Sequence, residues 1–402
     1  MSVSALTLMT LGFLFILGLV ADLIGRNTPI PRVSALLVFG IIIGPSGFDL
    51  LPVAIEHWMP VVSDIALASI GFLLGNSFNI SRIHSSGKAV LSISIFVALA
   101  TTAVVSSGLW LAGVSLPVAL ICGGIAPATD PASTVDVISE SKSEGEFSET
   151  LLKITAIDDA WGLIIFSLMF AAAQIEMLDG GGLNTLLDGF SEVLVSVLLG
   201  VVLGVPMSFL TGRILPGEPS LVEGLGMVFI CSGCALWIGA SYLLSAMVMG
   251  AVVANLARHH ERPFCAIEGV EWPLLVIFFI FAGVCVRREF FWSNILLIVF
   301  YILLRVASRF VGTYGGALIA GKTGRFGGWM GMALMPQAGI ALGMALTAAN
   351  RFEEFQVVVS VIAATTVFFE IAGPICTRFA LKMMGDINTG ERHKKDDEGC
   401  SF

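Results

Sequence analysis

The chain has 402 residues, of which 56% are hydrophobic and only 13% are charged, and its mean hydropathy is +0.93. Soluble domains carry about 25% charged residues, so the composition excludes an ordinary soluble protein and predicts a polytopic membrane protein. The formal net charge is −9 and no basic patch occurs, which argues against a nucleic-acid partner.

Apolar segments that reach the roughly 18 to 20 residues needed to cross a bilayer follow one another along the chain. The predicted spans, thirteen in number, cover residues 4–25, 32–48, 61–80, 89–113, 117–140, 149–174, 188–212, 220–237, 239–257, 270–286, 292–320, 327–349 and 353–380. The division at Gly239 has the weakest signal, because the run from Leu221 to Leu256 is almost unbroken. Residues 385–402 form a predicted short, polar cytoplasmic tail.

The distribution of basic residues predicts the orientation of the chain. Most of the 21 lysines and arginines follow odd-numbered spans or lie in the tail, whereas Arg287, Arg288 and Arg351 follow even-numbered spans. Loops rich in basic residues stay in the cytoplasm. We therefore expect the N-terminus outside and the C-terminus in the cytoplasm.

The fifth span, PVALICGGIAPATDPASTVDVIS, is interrupted by two prolines. Pro127 and Pro131 bracket Thr129 and Asp130. Proline removes a backbone donor and clashes with the preceding turn, which predicts a break near mid-membrane. Asp130 either caps the half-helix that starts near Pro131 or neutralises the positive half-helix ends. The two roles overlap, and we favour this electrostatic role over direct binding of an ion.

The twelfth span, GWMGMALMPQAGIALGMALTAA, is interrupted at Pro336 and Gln337. It is fifth in the block of spans 8–13, as the other broken span is fifth in spans 1–6. Equivalent spans of the two blocks are seven positions apart, an odd number, so the second block runs in inverted topology. This pattern is typical of secondary transporters. We predict an all-α polytopic membrane protein with about 13 transmembrane helices in two inverted repeats and two broken, crossing helices.

The sixth span contains two adjacent acids, Asp158 and Asp159, in the stretch KITAIDDAWGLIIF. They lie about 14 Å along the span, near mid-bilayer, where a lone charge costs at least ~2.5–3.5 kcal/mol. Neighbouring residues on a helix point about 100° apart, so both carboxylates cannot face one ion squarely. We expect one acid to face a cavity and alternate between a proton and a cation, and the other to pair with a base.

Two arginines in span 11 are the candidate bases. Arg305 and Arg309 are four residues apart and share a helix face. Arg305 lies near mid-depth and is the first choice of partner. Arg309 lies one turn nearer the cytoplasm, where it can snorkel, and is the second choice. Glu370 in span 13 is interpreted as a structural acid that pairs with an arginine.

Hard oxygen ligands suit Na⁺ or Li⁺. The hydroxyls of Thr129 and Thr155, with backbone carbonyls, are candidates to complete a cation shell around an aspartate. A proton and a cation that compete for one carboxylate make a minimal exchanger. No resident cofactor is expected, since Na⁺ or Li⁺ and H⁺ are the transported ions.

The stretches ATDPAS, AIDDAWG, RVASRFVGTYGGA and PQAGIALGMA resemble the monovalent cation/proton antiporters, specifically the bacterial Na⁺/H⁺ exchangers with a double-aspartate motif. The resemblance implies a homodimer in the bacterial inner (plasma) membrane that serves pH homeostasis and is not an enzyme. It also implies that Asp159 is the main ion carrier and that Asp158 pairs with a basic residue of span 11.

The same resemblance implies one transporter unit, residues 1–384, with an elevator-like motion. A core domain, 89–174 and 327–384, would slide against a dimerisation scaffold, 1–80 and 188–286, with a linking helix at 292–320. Some double-aspartate members carry lysine in span 11, but here the residue is arginine, which keeps its charge in proteins. The double aspartate suggests electrogenic exchange, and its second proton must then ride on Asp158.

Other functions remain open at this point. A K⁺/H⁺ antiporter has the same fold, although efflux members of that kind usually carry glutamine before the aspartate and a cytoplasmic nucleotide-binding domain. An organic-anion/Na⁺ symporter fits the aspartate and arginine pattern less well. An intramembrane aspartyl protease needs two carboxylates that meet across a gap, which consecutive positions on one helix do not supply. A non-transporting sensor has no signalling domain to support it.

Overall fold

A computed structural model describes residues 3–28, 31–52, 58–79, 87–177, 183–211, 220–257, 261–286, 293–337 and 339–387. Over these ranges the protein is helical, and its only β-type pairing is an isolated bridge between Ser143 and Ile387. The α-helices in chain order are α1 Val3–Asn27, α2 Arg32–Ile43, α3 Met59–Gly75, α4 Gly87–Leu111, α5 Leu116–Ile125, α6 Pro131–Glu140, α7 Glu146–Met177, α8 Leu183–Thr211, α9 Ser220–Ile238, α10 Tyr242–Leu256, α11 Glu261–Cys285, α12 Ile295–Ile319, α13 Gly324–Ala333, α14 Gly339–Arg351 and α15 Gln356–Met384. Short 3-10 turns occupy Asn76–Phe78 and Glu353–Phe355.

The predicted spans map onto these helices with two divided in half. The fifth span is α5 and α6, separated by residues 126–130, and the twelfth is α13 and α14, separated by residues 334–338. The weak division at Gly239 is confirmed, since α9 ends at Ile238 and Gly239 adopts a φ of +75°. The predicted fold class, with its two broken helices, is therefore confirmed.

Nine helices in the described part of the chain are long and apolar enough to cross a membrane. The helices α2 and α10 are shorter, at 12 and 15 residues, and the broken spans consist of half-helices of 10 to 13 residues. The predicted span 32–48 is helical only as far as Ile43 and continues as turns. By contrast, α7 has 32 residues and extends beyond both predicted ends.

The first break is fixed by local chemistry at the start of α6. Pro131 occupies the first helical turn, and Asp130 is the N-cap, with extended backbone angles of −117° and 98°. Its Oδ1 accepts a hydrogen bond from Ala132 N at 3.0 Å, and Ser133 Oγ donates to Oδ2. Both carboxylate oxygens are thus engaged in capping, which satisfies amides that a broken helix otherwise leaves unpaired.

The described residues form two apolar clusters. The larger one includes residues from most of the helices. The smaller one is built from residues of α4, α6, α7, α12, α13 and α15, such as Ile93, Leu151 and Met330, and from Leu334 directly after α13. The helix predicted to link the domains, α12, therefore contributes to the smaller cluster. Of the predicted tail, residues 388–402 lie outside the described residues.

Candidate ion-binding site

A close contact between α12 and α4 positions the charged side chains. A Cβ atom on Gly312 would lie 2.6 Å from Val97 Cα, and one on Gly316 would lie 2.7 Å from Ile93 Cα. Only glycine allows the two backbones to approach so closely. The approach brings the arginine face of α12 to α4 and to the first break.

Asp158 is fully held by neighbouring donors. Its Oδ1 accepts a hydrogen bond from Ser94 Oγ on α4 at 2.7 Å, and its Oδ2 lies 3.4 Å from Arg309 Nη1. Of the two span 11 arginines, the structure places the second choice, Arg309, beside Asp158, whereas the first choice, Arg305, forms no ion pair with it among the described residues. The expected snorkelling is wrong, since the Arg309 side chain is 0% exposed.

Arg305 contacts carbonyl oxygens of both breaks instead of a carboxylate. Its guanidinium also lies over the Phe369 ring, 4.2 Å from the centroid. The carbonyl acceptors are those of Ala126 at 3.1 Å, Ala128 at 2.9 Å, Met335 at 2.9 Å and Pro336 at 3.4 Å. Such carbonyls follow the C-terminal ends of α5 and α13, which carry partial negative charge. One buried cation therefore ties the two breaks together.

Arg309 binds the first break as well as Asp158. Its Nη2 donates to Pro127 O at 2.6 Å and to the carbonyls of Ala126 and Ala128, each at 3.3 Å. Both arginines thus converge on the carbonyls of residues 126–128. The depth of Arg305 in the membrane did not predict its partner. The carbonyl oxygens of the broken helices accept its hydrogen bonds in place of the Asp158 carboxylate.

Asp159 differs from Asp158 in that one of its oxygens lacks a partner. Oδ1 accepts a hydrogen bond from Thr129 N at 3.2 Å, whereas Oδ2 is buried and unpartnered among the described residues. Thr129 Oγ1 is also buried without a partner. Thr155, one turn earlier on α7, is 1% exposed, and its hydroxyl donates to Leu151 O and so leaves lone pairs free. These oxygens are the kind that a hard monovalent cation prefers.

The second break contributes a further buried amide. Gln337 is 0% exposed, and its Nε2 donates to the Tyr301 hydroxyl at 3.5 Å. Its Oε1 has no partner within the described ranges. Tyr301 lies one turn before Arg305 on α12, so the same helix face contacts both residues of the second break named in the sequence, Pro336 and Gln337.

Glu370 has a different partner from the one expected. The acid is 2% exposed, and no ion pair with arginine lies within 4 Å of it in the described structure. Ser34 Oγ on α2 donates to its Oε2. The prediction of an arginine partner is therefore wrong.

Sequence reasoning missed two polar groups at or near the site. Ser94 gave only a weak signal, as a small polar residue in an apolar span. Asp64 on α3 lies beside the Tyr242 hydroxyl, which is 3.2 Å from Thr347 Oγ1 on α14. The single acid in the third span was the available signal for that contact.

Comparisons with known proteins agree with this architecture. The chain is 24% identical over 368 residues to the "Ammonium/H(+) antiporter subunit AmhT" of Alkalihalophilus pseudofirmus, covering 90% of this chain and 87% of that protein. It is 25% identical over 306 residues to the "Na(+)/H(+) antiporter" of Enterococcus hirae, covering 73% and 77%.

A solved structure of the sodium proton antiporter MjNhaP1 from Methanocaldococcus jannaschii superposes with a TM-score of 0.69 at 20% identity, covering 93% of this chain and 95% of that one. At this identity the superposition shows a common fold. The transmembrane sodium/hydrogen exchanger family matches residues 11–382, nearly the whole chain. The protein belongs to the sodium/hydrogen exchanger family and is a monovalent cation/proton antiporter.

Proposed function

We propose that the chain exchanges Na⁺ or Li⁺ for protons at Asp159. The observation that carries this proposal is the asymmetry of the two acids. Asp158 is engaged by Ser94 and Arg309, whereas Asp159 Oδ2 and Thr129 Oγ1 are buried and have no partner among the residues that the structure describes. Buried polar atoms normally have partners. A proton or a dehydrated cation on Asp159 supplies the missing one.

The coupling follows from competition for this carboxylate. A cation bound to Asp159 is coordinated by the side-chain oxygen of Thr129 and by that of Thr155, one turn away on α7. A proton neutralises the same carboxylate, so the two ligands exclude each other. An unliganded carboxylate is costly in the membrane interior. Movement with the site loaded is therefore favoured over movement with it empty.

We further propose an elevator-type movement within a homodimer. The core of residues 89–174 and 327–384 carries both breaks and Asp159 past the scaffold of residues 1–80 and 188–286. Support comes from the smaller apolar cluster, whose described buried residues come from the core range, with the start of α13 directly before it, and from the linking helix α12, with none from the scaffold range. The inner membrane, with the C-terminus in the cytoplasm, is the proposed location, on the distribution of basic residues.

Electrogenic exchange is proposed for the pair of aspartates. Both arginines stay charged, so a second proton per cation must reside on Asp158. Protonation of Asp158 removes its ion pair with Arg309, in which Oδ2 and Nη1 lie 3.4 Å apart. Imposing a membrane voltage with K⁺ and valinomycin is expected to change the rate of Na⁺-driven proton movement. A rate independent of voltage overturns this part of the proposal.

Ammonium is a second candidate cation, because the relative that covers 90% of this chain is named an ammonium/H⁺ antiporter subunit. K⁺ is the further alternative on the same fold. Ammonium donates hydrogen bonds, so the unpartnered oxygens of Asp159 and Thr129 can bind NH₄⁺ as well as Na⁺.

The experiment is proton flux in proteoliposomes with a trapped pH-sensitive dye. Na⁺, Li⁺, K⁺ and NH₄⁺ are added separately as chloride salts, and Na⁺ or Li⁺ is expected to produce the largest signal. Neutral ammonia crosses lipid unaided, so protein-free liposomes set the baseline for NH₄⁺. A signal with K⁺ or NH₄⁺ alone overturns the Na⁺/Li⁺ assignment. No signal above the baseline with any cation overturns the proposed function.

A further inference from the structure

Glu370 is a deeply buried acid that the proposed exchange does not use. It lies near the middle of α15 and is 2% exposed. Its hydrogen-bond partner is Ser34, 336 residues away on α2. A buried carboxylate with no ion-pair partner is expensive to keep, so its contacts need a physical account.

The contact places the carboxylate at the N-terminus of α2. This helix begins at Arg32, and no side chain caps it at Pro31. Ser34, in the first turn of α2, donates its hydroxyl to Glu370 Oε2. The first amides of a helix have no partner within it and carry partial positive charge. The carboxylate of Glu370 therefore lies, as an electrostatic cap from another helix, against the positive end of α2.

The same contact joins the two units of the proposed elevator. Ser34 lies in the scaffold range, and Glu370 lies in the core range. Any displacement of α15 along α2 takes Glu370 away from Ser34 and from the positive end of α2. The ionised form gains most from this contact, so separation and protonation favour each other.

Charged groups on the surrounding elements do not provide an alternative partner. The charge of Asp130, the cap of α6, acts on Glu370, and none of the groups forms an ion pair with it within the described structure. Arg32 on α2 is paired with Asp22 at 3.1 Å. Among the described charged residues on elements that pack against α15, those that are not exposed are Asp158 and Asp159 on α7, Glu271 on α11, and Arg305 and Arg309 on α12. The others, such as Asp136, Glu140, Arg325, Arg351, Glu353 and Glu354, are exposed.

We propose that Glu370 is a positioning residue whose protonation releases the core from α2 in each transport cycle. This inference rests on the proposed exchange function. Low pH weakens the cap and frees α15, and high pH restores the contact. Protonation of Glu370 then contributes to the pH profile of exchange separately from competition at Asp159.

The first arm of the test compares Glu370→Gln with wild type in the flux assay over a series of pH values. Glutamine accepts the hydrogen bond from the Ser34 hydroxyl but cannot ionise. We expect the variant to have a flatter pH profile, with an apparent KM for the cation within about twofold of wild type, because Asp159 is unaltered. Glu370→Asp, which still ionises, is expected to retain part of the pH dependence. Glu149→Gln, an exposed carboxylate on α7, is the matched control and keeps the wild-type profile.

The second arm does not depend on transport. Hydrogen–deuterium exchange of the peptide covering residues 31–37 is measured at several pH values and normalised to the intrinsic rates. Protection is expected to fall with falling pH in wild type and to change less in Glu370→Gln. A peptide from α9 serves as the reference.

The two arms separate the possible failures. A wild-type pH profile in Glu370→Gln, or equal protection of residues 31–37 in both proteins at every pH, overturns the proposal. If wild type exchanges no cation, the proposed function fails, and the deuterium arm alone decides whether the contact titrates. A lower thermal stability without a changed pH profile also overturns the proposal, because it indicates a purely structural cap.

Discussion

Arg309 Nη1 lies 3.4 Å from Asp158 Oδ2, and both side chains are buried, at 0% and 1% exposed. The neighbouring arginine on the same face, Arg305, instead binds carbonyls of the two breaks. Two arginines one turn apart thus have different partners, a carboxylate for one and broken backbone for the other.

Arg305→Ala is expected to destabilise the protein more than any exposed substitution. It leaves buried carbonyls of both breaks without donors, and each unsatisfied buried group costs about 1–3 kcal/mol. A loss of at least about 3 kcal/mol is expected, measured by thermal unfolding in detergent. Arg325→Ala is the control, since that exposed side chain donates only to Met383 O at 3.1 Å. Equal stability of the two variants contradicts the role assigned to Arg305.

Ser94→Ala tests the support of Asp158. The change removes a hydrogen bond to a charged group, which contributes about 1.5–3 kcal/mol. We expect slower exchange that is still measurable, because Arg309 remains in place. Ser92→Ala on the same helix is the control, and its hydroxyl donates to Gly316 O at 3.0 Å instead. The account of Asp158 is wrong if both variants lose the same fraction of flux.

Thr129→Val tests the proposed cation shell. Valine preserves the shape of the side chain and the backbone N–H that binds Asp159, but removes the unpartnered hydroxyl. A rise of at least about threefold in the apparent KM for the cation is expected, which corresponds to roughly 0.7 kcal/mol. Thr366→Val is a matched control, because that hydroxyl on α15 is also buried and has no partner in the described part of the chain. An unchanged KM in Thr129→Val removes this hydroxyl from the site.

Gly373→Ala tests the close packing of α15 on the second break. A Cβ atom at this position would lie 2.6 Å from Pro336 Cα and 2.7 Å from its nitrogen. Such overpacking typically costs about 1–3 kcal/mol, so we expect reduced thermal stability and flux. Gly226→Ala on α9 is the control, since no atom lies within 4 Å of its added Cβ, and there alanine favours the helix. Full flux and stability in Gly373→Ala would show that the break tolerates displacement.

Sequence alone predicted the features that depend on local chemistry. Proline disfavours a helix interior, and prolines next to polar residues indicated the interruptions at Pro127 and Pro336. Proline alone is not sufficient, since Pro206, Pro273 and Pro374 lie inside continuous helices. The depth of Asp158 and Asp159 followed from residue counting. The sequence did not show which helices pack against each other. Whether Arg305 or Arg309 reaches Asp158 depends on the approach of α12 to α4 at Gly312 and Gly316.

The partner of Glu370 could not be predicted for a similar reason. Ser34 lies 336 residues earlier in the chain, and no local pattern links the two positions. A buried acid in a membrane span suggests a partner of opposite charge, whereas Glu370 contacts the Ser34 hydroxyl in the first turn of a short helix. The same limitation explains why carbonyls were not considered as partners for Arg305.

The central claim is that a proton and a monovalent cation exchange at Asp159. Its most direct test is Na⁺- or Li⁺-driven proton flux of Asp159→Asn in proteoliposomes, with thermal unfolding to verify the fold. Asparagine fits the same space but cannot carry the proton, so we predict flux no greater than that of protein-free liposomes. Exchange at the wild-type rate in a folded Asp159→Asn variant contradicts the account.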